Sequence, residues 1–193
     1  MPGSLIRNLT VMLLLMAPLV LKAEKAIFAG GCFWCVEALY QELEGVSDAV
    51  SGFTGGTLKN PTYDGDHTGH YEAVLVTYDP DLVSYDELLA LFWVNIDPFN
   101  NNGQFCDHGP SYRSAIFYNS EAELSLAQTT RQAIVERHGS EVFTEILPVT
   151  EFYPVQAYHQ DYYKKNPLRY RLYRSGCRRD ARLQKIWGER TRH

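Results

Sequence analysis

The sequence predicts a single α/β (α+β) domain built as a two-layer sandwich, and three observations support this class. Segments with the two-residue period of strands alternate with segments that have the 3.6-residue period of helices. The 193 residues suffice for one domain with a substantial core but would cramp two. The content of 45% hydrophobic and 21% charged residues is that of an ordinary globular protein.

The first half of the chain contains three predicted strands and two predicted helices. The strands are expected at 25–29, 46–54 and 71–78, and the helices at 33–43 and 85–94. Gly30 and Gly31 end the first strand in a tight turn, and Gly45 ends the helix that follows. Ser84 is expected to cap the second helix, because Glu87 stands three residues further on, as a capping box requires.

The second half continues the alternation of strands and helices. The predicted elements are a strand at 113–118, a helix at 120–137, a strand at 145–150, a helix at 156–165 and a final helix at 179–187. Gly139 is expected to end the first of these helices and Pro167 the second. The polar connections 57–69 and 95–112 are longer than a simple link requires, so we expect them to carry function.

Residues 1–23 have the pattern of a signal peptide. Arg7 precedes an apolar run at 9–21, which is too short for a comfortable membrane span, and Ala23 offers a small residue for cleavage. Leu21 stands where a small residue is usual, so an uncleaved membrane anchor is the alternative. Export predicts a periplasmic or extracellular protein, in which disulfides persist, and leaves residues 24–193 as the folded domain.

Basic residues are concentrated in the C-terminal segment 164–193. It holds eleven Lys and Arg against two acids, although the whole chain has a net charge of −5. The segment is either a solvated basic helix or a tail that lies back on an acidic body. Nucleic-acid partners are disfavoured, because the acidic remainder of the surface would repel phosphates.

Cys32 is the residue whose position most strongly indicates chemistry. It follows a strand and a glycine turn and therefore starts a helix, where unpaired N–H groups and the helix dipole should lower the pKa of its thiol. A buried inert thiol or a bridge to Cys35 is the structural alternative. The even number of cysteines beyond residue 23 (Cys32, Cys35, Cys106 and Cys177) would first suggest bridges in an exported protein.

Several separate motifs together resemble the A-type methionine sulfoxide reductases. They begin with Gly31-Cys-Phe-Trp34 and continue with Gly55-Gly56, Asn60-Pro-Thr-Tyr63, Thr68-Gly-His-Tyr-Glu72, Val76-Thr-Tyr-Asp-Pro80, Asp97-Pro98, Tyr112-Arg-Ser-Ala-Ile-Phe117 and Tyr158-His-Gln160. The resemblance covers the chain from about Lys25 to about Tyr163. It implies a ferredoxin-like core with a mixed sheet and long functional loops, and a thiol-dependent enzyme that reduces the S epimer of methionine sulfoxide, protein-bound or free.

The same resemblance implies a role for each candidate site residue. By similarity the site contains the nucleophile Cys32, the apolar slot of Phe33 and Trp34, the proton donor Glu72, the hydrogen-bond donors Tyr63 and Tyr112, and the ordering residue Asp107. From the strand pattern alone, Glu72 would more simply face solvent. The enzyme is expected to be a monomer that binds no metal or cofactor, repairs oxidised proteins or peptides, and is recycled by a thioredoxin-like dithiol.

The cysteine that resolves a sulfenic acid on Cys32 stays open at this stage. Cys177 is placed first, because it lies in a glycine-containing, basic segment that we expect to be mobile, and neighbouring arginines favour its thiolate. Cys35 is closer in sequence but should turn away from an outward-facing Cys32. Cys106 abuts Asp107 and is the third candidate. The familiar family form has glycine at position 35 and asparagine at position 106.

Three other functions compete with this assignment. The spacing Cys32-x-x-Cys35 also suits a thioredoxin-like disulfide oxidoreductase, although its two inner residues are bulky aromatics. A structural zinc site is disfavoured, because Cys106 and Cys177 form no second closely spaced pair. A binding module without catalysis is the third. The absence of a phosphate-binding glycine motif argues against a nucleotide cofactor.

Overall fold

A six-stranded mixed sheet organises residues 23–188, the part of the chain that the computed structural model describes. The strands in chain order are β1 (Glu24–Gly30), β2 (Val46–Thr54), β3 (Tyr71–Tyr78), β4 (Gly103–Gln104), β5 (Asp107–His108), β6 (Ser114–Tyr118), β7 (Glu145–Pro148) and β8 (Tyr153–Pro154). β4 and β5 form a separate hairpin. The main sheet has the order β7-β6-β1-β3-β2-β8, with only β6 and β7 parallel. The predicted α+β fold with a mixed sheet is confirmed, whereas the predicted signal peptide, apart from Ala23, lies outside the described residues.

The helices complete the second layer and the C-terminal segment. They are α1 (Phe33–Gln41), α2 (Tyr85–Trp93), α3 (Glu121–His138), α4 (Tyr162–Lys165), α5 (Pro167–Gly176) and α6 (Arg179–Trp187), with a 3-10 turn at Pro110–Tyr112. α1 packs on β1, β2 and β3, while α3 packs on β6 and β7. Gln104 of the 95–112 loop lies against Gly31, where β1 passes into α1.

β1 shows how the alternating pattern builds two apolar faces. Ala26 and Phe28 point into the larger core beneath the helices, where the Phe28 ring packs on Tyr40 with centroids 5.1 Å apart. Ile27 and Ala29 join a smaller cluster on the opposite face. Successive side chains of a strand point to opposite faces, so the run of apolar residues in β1 marks a strand that is buried on both sides.

The predicted helix caps are present. Ser84 and Glu87 form the reciprocal capping box of α2, with both hydrogen bonds in place. Ser120 caps α3 by accepting from the backbone N–H of Glu123, and Gly139 ends that helix in the left-handed conformation. These local signals are strong because they satisfy backbone groups that the helix itself leaves without partners.

The C-terminal segment differs from the sequence expectation. The helix predicted at 156–165 is wrong over most of its length, since only Tyr162–Lys165 is helical and turns precede it. Pro167 does not end a helix but begins α5, because the first helical position needs no N–H donor and has a backbone torsion that proline already adopts.

The basic tail packs back on the body of the protein. Leu183 and Trp187 of α6 are buried in the main core, and Arg182 binds the carboxylate of Asp97 at 2.7 Å. Of the two arrangements expected for this basic segment, the structure therefore has the one in which it lies back on the body. Helical periodicity places the apolar residues of α6 on one face, which the core covers.

Candidate active site

Cys32 lies at the turn between β1 and α1. It is the N-cap residue of α1, and its thiol is almost fully covered, with 6% of the residue exposed. Gly31 before it has φ of +83°, and a Cβ atom there would approach the Cβ of Gln104 to 2.5 Å. Both facts require glycine, because a side chain would be strained and would displace the 95–112 loop from the thiol.

One small cavity collects the predicted site residues around this thiol. Its volume is about 60 Å³. The residues that line it are Cys32, Phe33, Trp34, Tyr63, Glu72, Asp107, Tyr112 and Tyr173. Seven of these eight were predicted from the sequence. They come from five separate parts of the chain, including both long loops.

Phe33 and Trp34 form an aromatic wall whose orientation is set by neighbouring rings. Phe33 is fully buried and packs edge-on against Phe53, with ring centroids 5.9 Å apart. The indole of Trp34 stacks on the ring of Tyr162, with ring centroids 3.7 Å apart. Its Nε1–H donates a hydrogen bond to Nδ1 of His159, with the two nitrogens 3.1 Å apart. This rigid apolar surface suits a small nonpolar substituent beside the reactive sulfur.

Glu72 presents a buried carboxyl group to the cavity. It is 1% exposed, and an oxygen of its side chain accepts from the backbone N–H of Phe33 at 3.1 Å. Burial raises its pKa to about 8, and the charge of Asp107 acts in the same direction. The carboxyl group is therefore mainly protonated at neutral pH. The alternative that Glu72 faces solvent is wrong, because β3 is buried on both faces.

Tyr63 and Tyr112 reach the cavity from the two long loops. Both side chains are partly buried, and Tyr112 lies within hydrogen-bond reach of Glu72. Burial raises the pKa of Tyr63 to about 12 and that of Tyr112 further. Both hydroxyls therefore keep their protons across the physiological range and remain hydrogen-bond donors.

Asp107 orders the opposite side of the cavity. It starts β5, and its carboxylate accepts a hydrogen bond of 2.5 Å from the hydroxyl of Tyr173 on α5. Burial raises the pKa of Asp107, while the Tyr173 hydrogen bond opposes that rise. This bond links the 95–112 loop to the C-terminal segment at the rim of the site.

The two cysteines of the α1 turn form a buried thiol pair. Cys32 and Cys35 are free, their side chains are in hydrogen-bond contact, and the Cys35 N–H donates to the Cys32 carbonyl at 3.1 Å. The expectation that Cys35 turns away from an outward-facing Cys32 is wrong. Cys32 itself is covered, and the first helical turn brings the side chain of Cys35 back to it.

Of the two thiols in this pair, Cys35 is the one whose pKa is lowered. The hydrogen bond from Cys32 lowers the pKa of Cys35 to about 6, against the effect of burial, and the charges of Arg179 and Arg174 lower it further. Burial raises the pKa of Cys32. The predicted depression of the Cys32 pKa is therefore wrong for the resting pair, because desolvation outweighs the helix terminus.

Cys177 is not free in this structure but is bonded to Cys106. The two Cα atoms are 5.0 Å apart, and Cys106 is exposed at the surface next to Asp107. Within residues 23–188, Cys106, Asp107 and Cys177 make up the one group with metal-ligand spacing, and its two sulfurs are joined. The four cysteines thus form two separate pairs and do not converge as structural zinc requires.

Tyr173 is the site residue that sequence reasoning missed. It lies in the segment beyond the recognised motifs, where its neighbours carry no pattern that distinguishes a site residue from a surface tyrosine. Its hydroxyl contacts both Asp107 and the thiol of Cys32. His159 behind Trp34 was also unassigned, although it stands within the recognised Tyr158-His-Gln160 motif.

Comparisons with known proteins agree with this geometry. The model of the family "Peptide methionine sulfoxide reductase" matches residues 24–191. "Peptide methionine sulfoxide reductase MsrA 2" of Caulobacter vibrioides is 49% identical over 86% of this chain and 87% of its own length. MsrA of Bacillus subtilis is 45% identical over 86% and 97%. The solved methionine sulfoxide reductase A of Corynebacterium diphtheriae superposes with a TM-score of 0.68, at 34% identity and 76% coverage of each chain.

Proposed function

This chain belongs to the peptide methionine sulfoxide reductase family, and we propose that Cys32 removes the oxygen from the S epimer of methionine sulfoxide. The enzyme returns protein-bound and free methionine sulfoxide to methionine and thereby repairs oxidised proteins. One observation supports the proposed chemistry above all others: a single cavity holds a sulfur nucleophile beside a carboxyl group that is protonated at neutral pH.

The apolar wall orients the substrate. The S-methyl group enters the cavity between Phe33 and Trp34, where a volume of about 60 Å³ admits a methyl group but no large substituent. The sulfoxide oxygen then points to the polar side, towards Glu72 and the two tyrosine hydroxyls. Buried donors that are already in position stabilise developing charge more effectively than water does.

The reductive step transfers the oxygen to Cys32. The Cys32 thiol passes its proton to the Cys35 thiolate, and the resulting Cys32 sulfur attacks the sulfoxide. Glu72 gives a proton to the oxygen, while Tyr63 and Tyr112 donate hydrogen bonds to it. The substrate S–O bond breaks, an S–OH group forms on Cys32, and methionine leaves. Cys32 supplies the two electrons, so the enzyme needs no bound cofactor or metal.

Cys35 is the first resolving residue that the geometry favours. Its thiol contacts Cys32, so it can attack the sulfenic acid with loss of water and form a Cys32–Cys35 disulfide. Cys177, which the sequence favours, then acts in a second step. The reduced Cys106 and Cys177 pair takes over the disulfide by thiol exchange and returns Cys32 and Cys35 to their free forms.

The surface disulfide Cys106–Cys177 corresponds to the end of this relay. Cys106 is exposed, so the disulfide is open to an external dithiol, whereas the Cys32 and Cys35 pair is buried. A thioredoxin-like donor recycles the enzyme at this position, and the monomer has all the residues that the cycle needs.

The N-terminal pattern supports a proposal that the enzyme is exported. We propose that residues 1–23 are a cleaved signal peptide, with an uncleaved anchor as the alternative, that residues 24–193 are the reductase domain, and that the protein acts in the periplasm. None of the helices within residues 23–188 combines the length and apolar character that a bilayer crossing requires. Cell fractionation with mass determination of the native N-terminus tests this, and a full-length protein in the cytosol would remove the proposal.

The catalytic proposal is tested with dithiothreitol and each epimer of a methionine sulfoxide peptide. Wild type should reduce only the S epimer, and Cys32→Ser should reduce neither. Without dithiothreitol, Cys35→Ser should slowly release one equivalent of methionine, because Cys32 has lost its base, and should leave a sulfenic acid that dimedone traps on Cys32. Cys177→Ser should form the Cys32–Cys35 disulfide but turn over slowly with a thioredoxin-type donor. Reduction of disulfides without reduction of either epimer would favour the thioredoxin-like alternative instead.

A further inference from the structure

A second cavity lies against the face of α1 that carries Cys35. Its volume is about 240 Å³, and residues spaced three and four apart on α1, among them Cys35, Ala38 and Leu39, form one wall. Cys35 lines this cavity and Cys32 does not, whereas Cys32 lines the catalytic cavity and Cys35 does not. Each cysteine of the thiol pair therefore borders a different cavity.

The wall opposite α1 carries two arginines, and one of their N–H groups lacks a hydrogen-bond partner among the described residues. Arg174 and Arg179 line it, and Arg179 is only 3% exposed. Arg179 donates to the carbonyl of Asn95 at 2.7 Å, but its Nε–H has no hydrogen-bond partner among the described residues. Arg174 pairs with Asp180 at 2.5 Å. A buried guanidinium group with an unused donor marks a place where an acceptor would be stabilised.

The rest of the lining limits the size and chemistry of an occupant. Leu43 and Leu91 add apolar surface, and the hydroxyl of Tyr170 lies within hydrogen-bond reach of Cys35. The one acid in the lining, Glu42, is exposed and therefore stands at the mouth. The cavity thus combines apolar surface, two arginines and one cysteine, and its volume of about 240 Å³ suits a small molecule.

We propose that this cavity binds a small thiol that carries a carboxylate and presents it to Cys35, as a second entry point for electrons. The proposal rests on the proposed function, because the disulfide to be reduced is Cys32–Cys35. The carboxylate pairs with Arg174 and the unused donor of Arg179, and the thiol sulfur faces Cys35. Cys32 does not line this cavity. Its sulfur can therefore leave the Cys35 sulfur on the side opposite to the attacking thiolate.

The exchange is balanced in two steps. The incoming thiolate attacks the Cys35 sulfur, the Cys32–Cys35 bond breaks, and Cys32 leaves as the thiolate that the next sulfoxide requires. The mixed disulfide on Cys35 is then attacked by a second molecule of the same thiol. That step releases the small disulfide and the Cys35 thiolate, so two thiols supply the two electrons and lose their two protons.

The binding part of this proposal can be tested without methionine sulfoxide. Full-length Cys32→Ser, which keeps a hydroxyl donor beside Cys35, is treated with 3,3′-dithiodipropionate, an anionic disulfide, or with the neutral 2-hydroxyethyl disulfide. Peptide mass spectrometry locates the mixed disulfide and its rate of formation. The readout is the rate of mixed-disulfide formation at Cys35 with the anionic reagent, divided by the rate with the neutral reagent. A change in the pKa of Cys35 alters both rates alike and leaves this ratio unchanged.

Two substitutions of Arg174, each made in Cys32→Ser, test whether the positive charge in the cavity favours the anionic reagent. Arg174→Gln should lower the anionic-to-neutral ratio at Cys35 about tenfold, whereas Arg174→Lys should retain most of it. Arg171→Gln is the matched control, because it removes one charge from the exposed face of the same helix, outside the cavity. Its ratio should stay close to that of Cys32→Ser alone.

The outcomes separate this proposal from the catalytic one. An equal ratio in all variants, or modification of Cys106 or Cys177 in place of Cys35, would overturn the cavity site even where methionine formation proceeds normally. A selective loss in Arg174→Gln with continued reaction of the neutral reagent supports it. Because no sulfoxide takes part, failure of the catalytic proposal leaves this result interpretable.

Discussion

Replacement of Glu72 by glutamine tests the central assumption that a neutral carboxyl group donates a proton. Glutamine has nearly the same shape and keeps a carbonyl oxygen, so the hydrogen bond from the Phe33 N–H can persist. With a pKa of about 8, Glu72 is about nine-tenths protonated at pH 7. Removal of a positioned general acid lowers a rate by about 10²- to 10⁴-fold, so we expect a loss of this size in Glu72→Gln.

The pH dependence of the single-turnover rate provides a second test of the same role of Glu72. Glu72 keeps its proton below its pKa of about 8, and Cys35 loses its proton above its pKa of about 6. Wild-type activity should therefore be highest between these values and fall about tenfold for each pH unit above 8. Glu72→Gln should lack the alkaline decline, because its side chain does not titrate, but should retain the acidic one.

The assay is single-turnover methionine formation by quenched flow, because steady-state rates also contain the recycling steps. Glu37→Gln is a matched control: Glu37 is also 1% exposed, but it contacts Ser51 and the backbone of Asp161 away from the catalytic cavity. It should keep both limbs of the profile. An alkaline decline that persists in Glu72→Gln would refute the assignment of that limb to the proton donor.

Three further predictions concern the oxygen site, the disulfide and the tail. Tyr63→Phe and Tyr112→Phe should each lower the single-turnover rate by about 10²- to 10³-fold through the loss of one hydrogen bond to the oxygen, and an unchanged rate would remove that role. Reduction of the Cys106–Cys177 disulfide, which spans 71 residues, should lower the free energy of unfolding in urea by about 2–4 kcal/mol; equal midpoints with and without reductant would contradict this. Leu183→Ala should cost about 2–5 kcal/mol in the same assay, because Leu183 is fully buried between the tail and the core. A loss below about 0.5 kcal/mol, typical of surface positions, would indicate that the tail does not stabilise the fold.

Local signals in the sequence sufficed for most of the fold. The two apolar faces of β1, the Ser84 and Glu87 capping box and the turn at Gly139 each depend on residues a few positions apart. Alternation along a strand and caps at helix ends are properties of short segments, so the sequence records them directly. The bounds of the longer elements therefore agree closely with prediction as far as residue 148, whereas the β4–β5 hairpin and the 3-10 turn within the 95–112 loop were not predicted.

Local sequence signals do not predict how the C-terminal segment folds. Pro167 is compatible both with the end of one helix and with the beginning of another, and its neighbours do not decide between them. Only the packing of α6 into the core, through Leu183 and Trp187, decides that the segment folds back as two helices. Tyr173 enters the site because this packing, together with the Cys106–Cys177 disulfide at the end of α5, places α5 beside Asp107.

The sequence by itself determined seven of the eight residues that line the catalytic cavity, because its motifs place Cys32, Glu72 and Tyr112 in one family pattern, but it gave no sign of Tyr173. It did not determine their protonation. The helix start at Cys32 predicts a lowered pKa for that thiol, yet burial raises the pKa of Cys32, and Cys35 is the thiol whose pKa is lowered. Desolvation and the approach of Arg174 and Arg179 depend on contacts between distant segments, and the tertiary structure alone decides those.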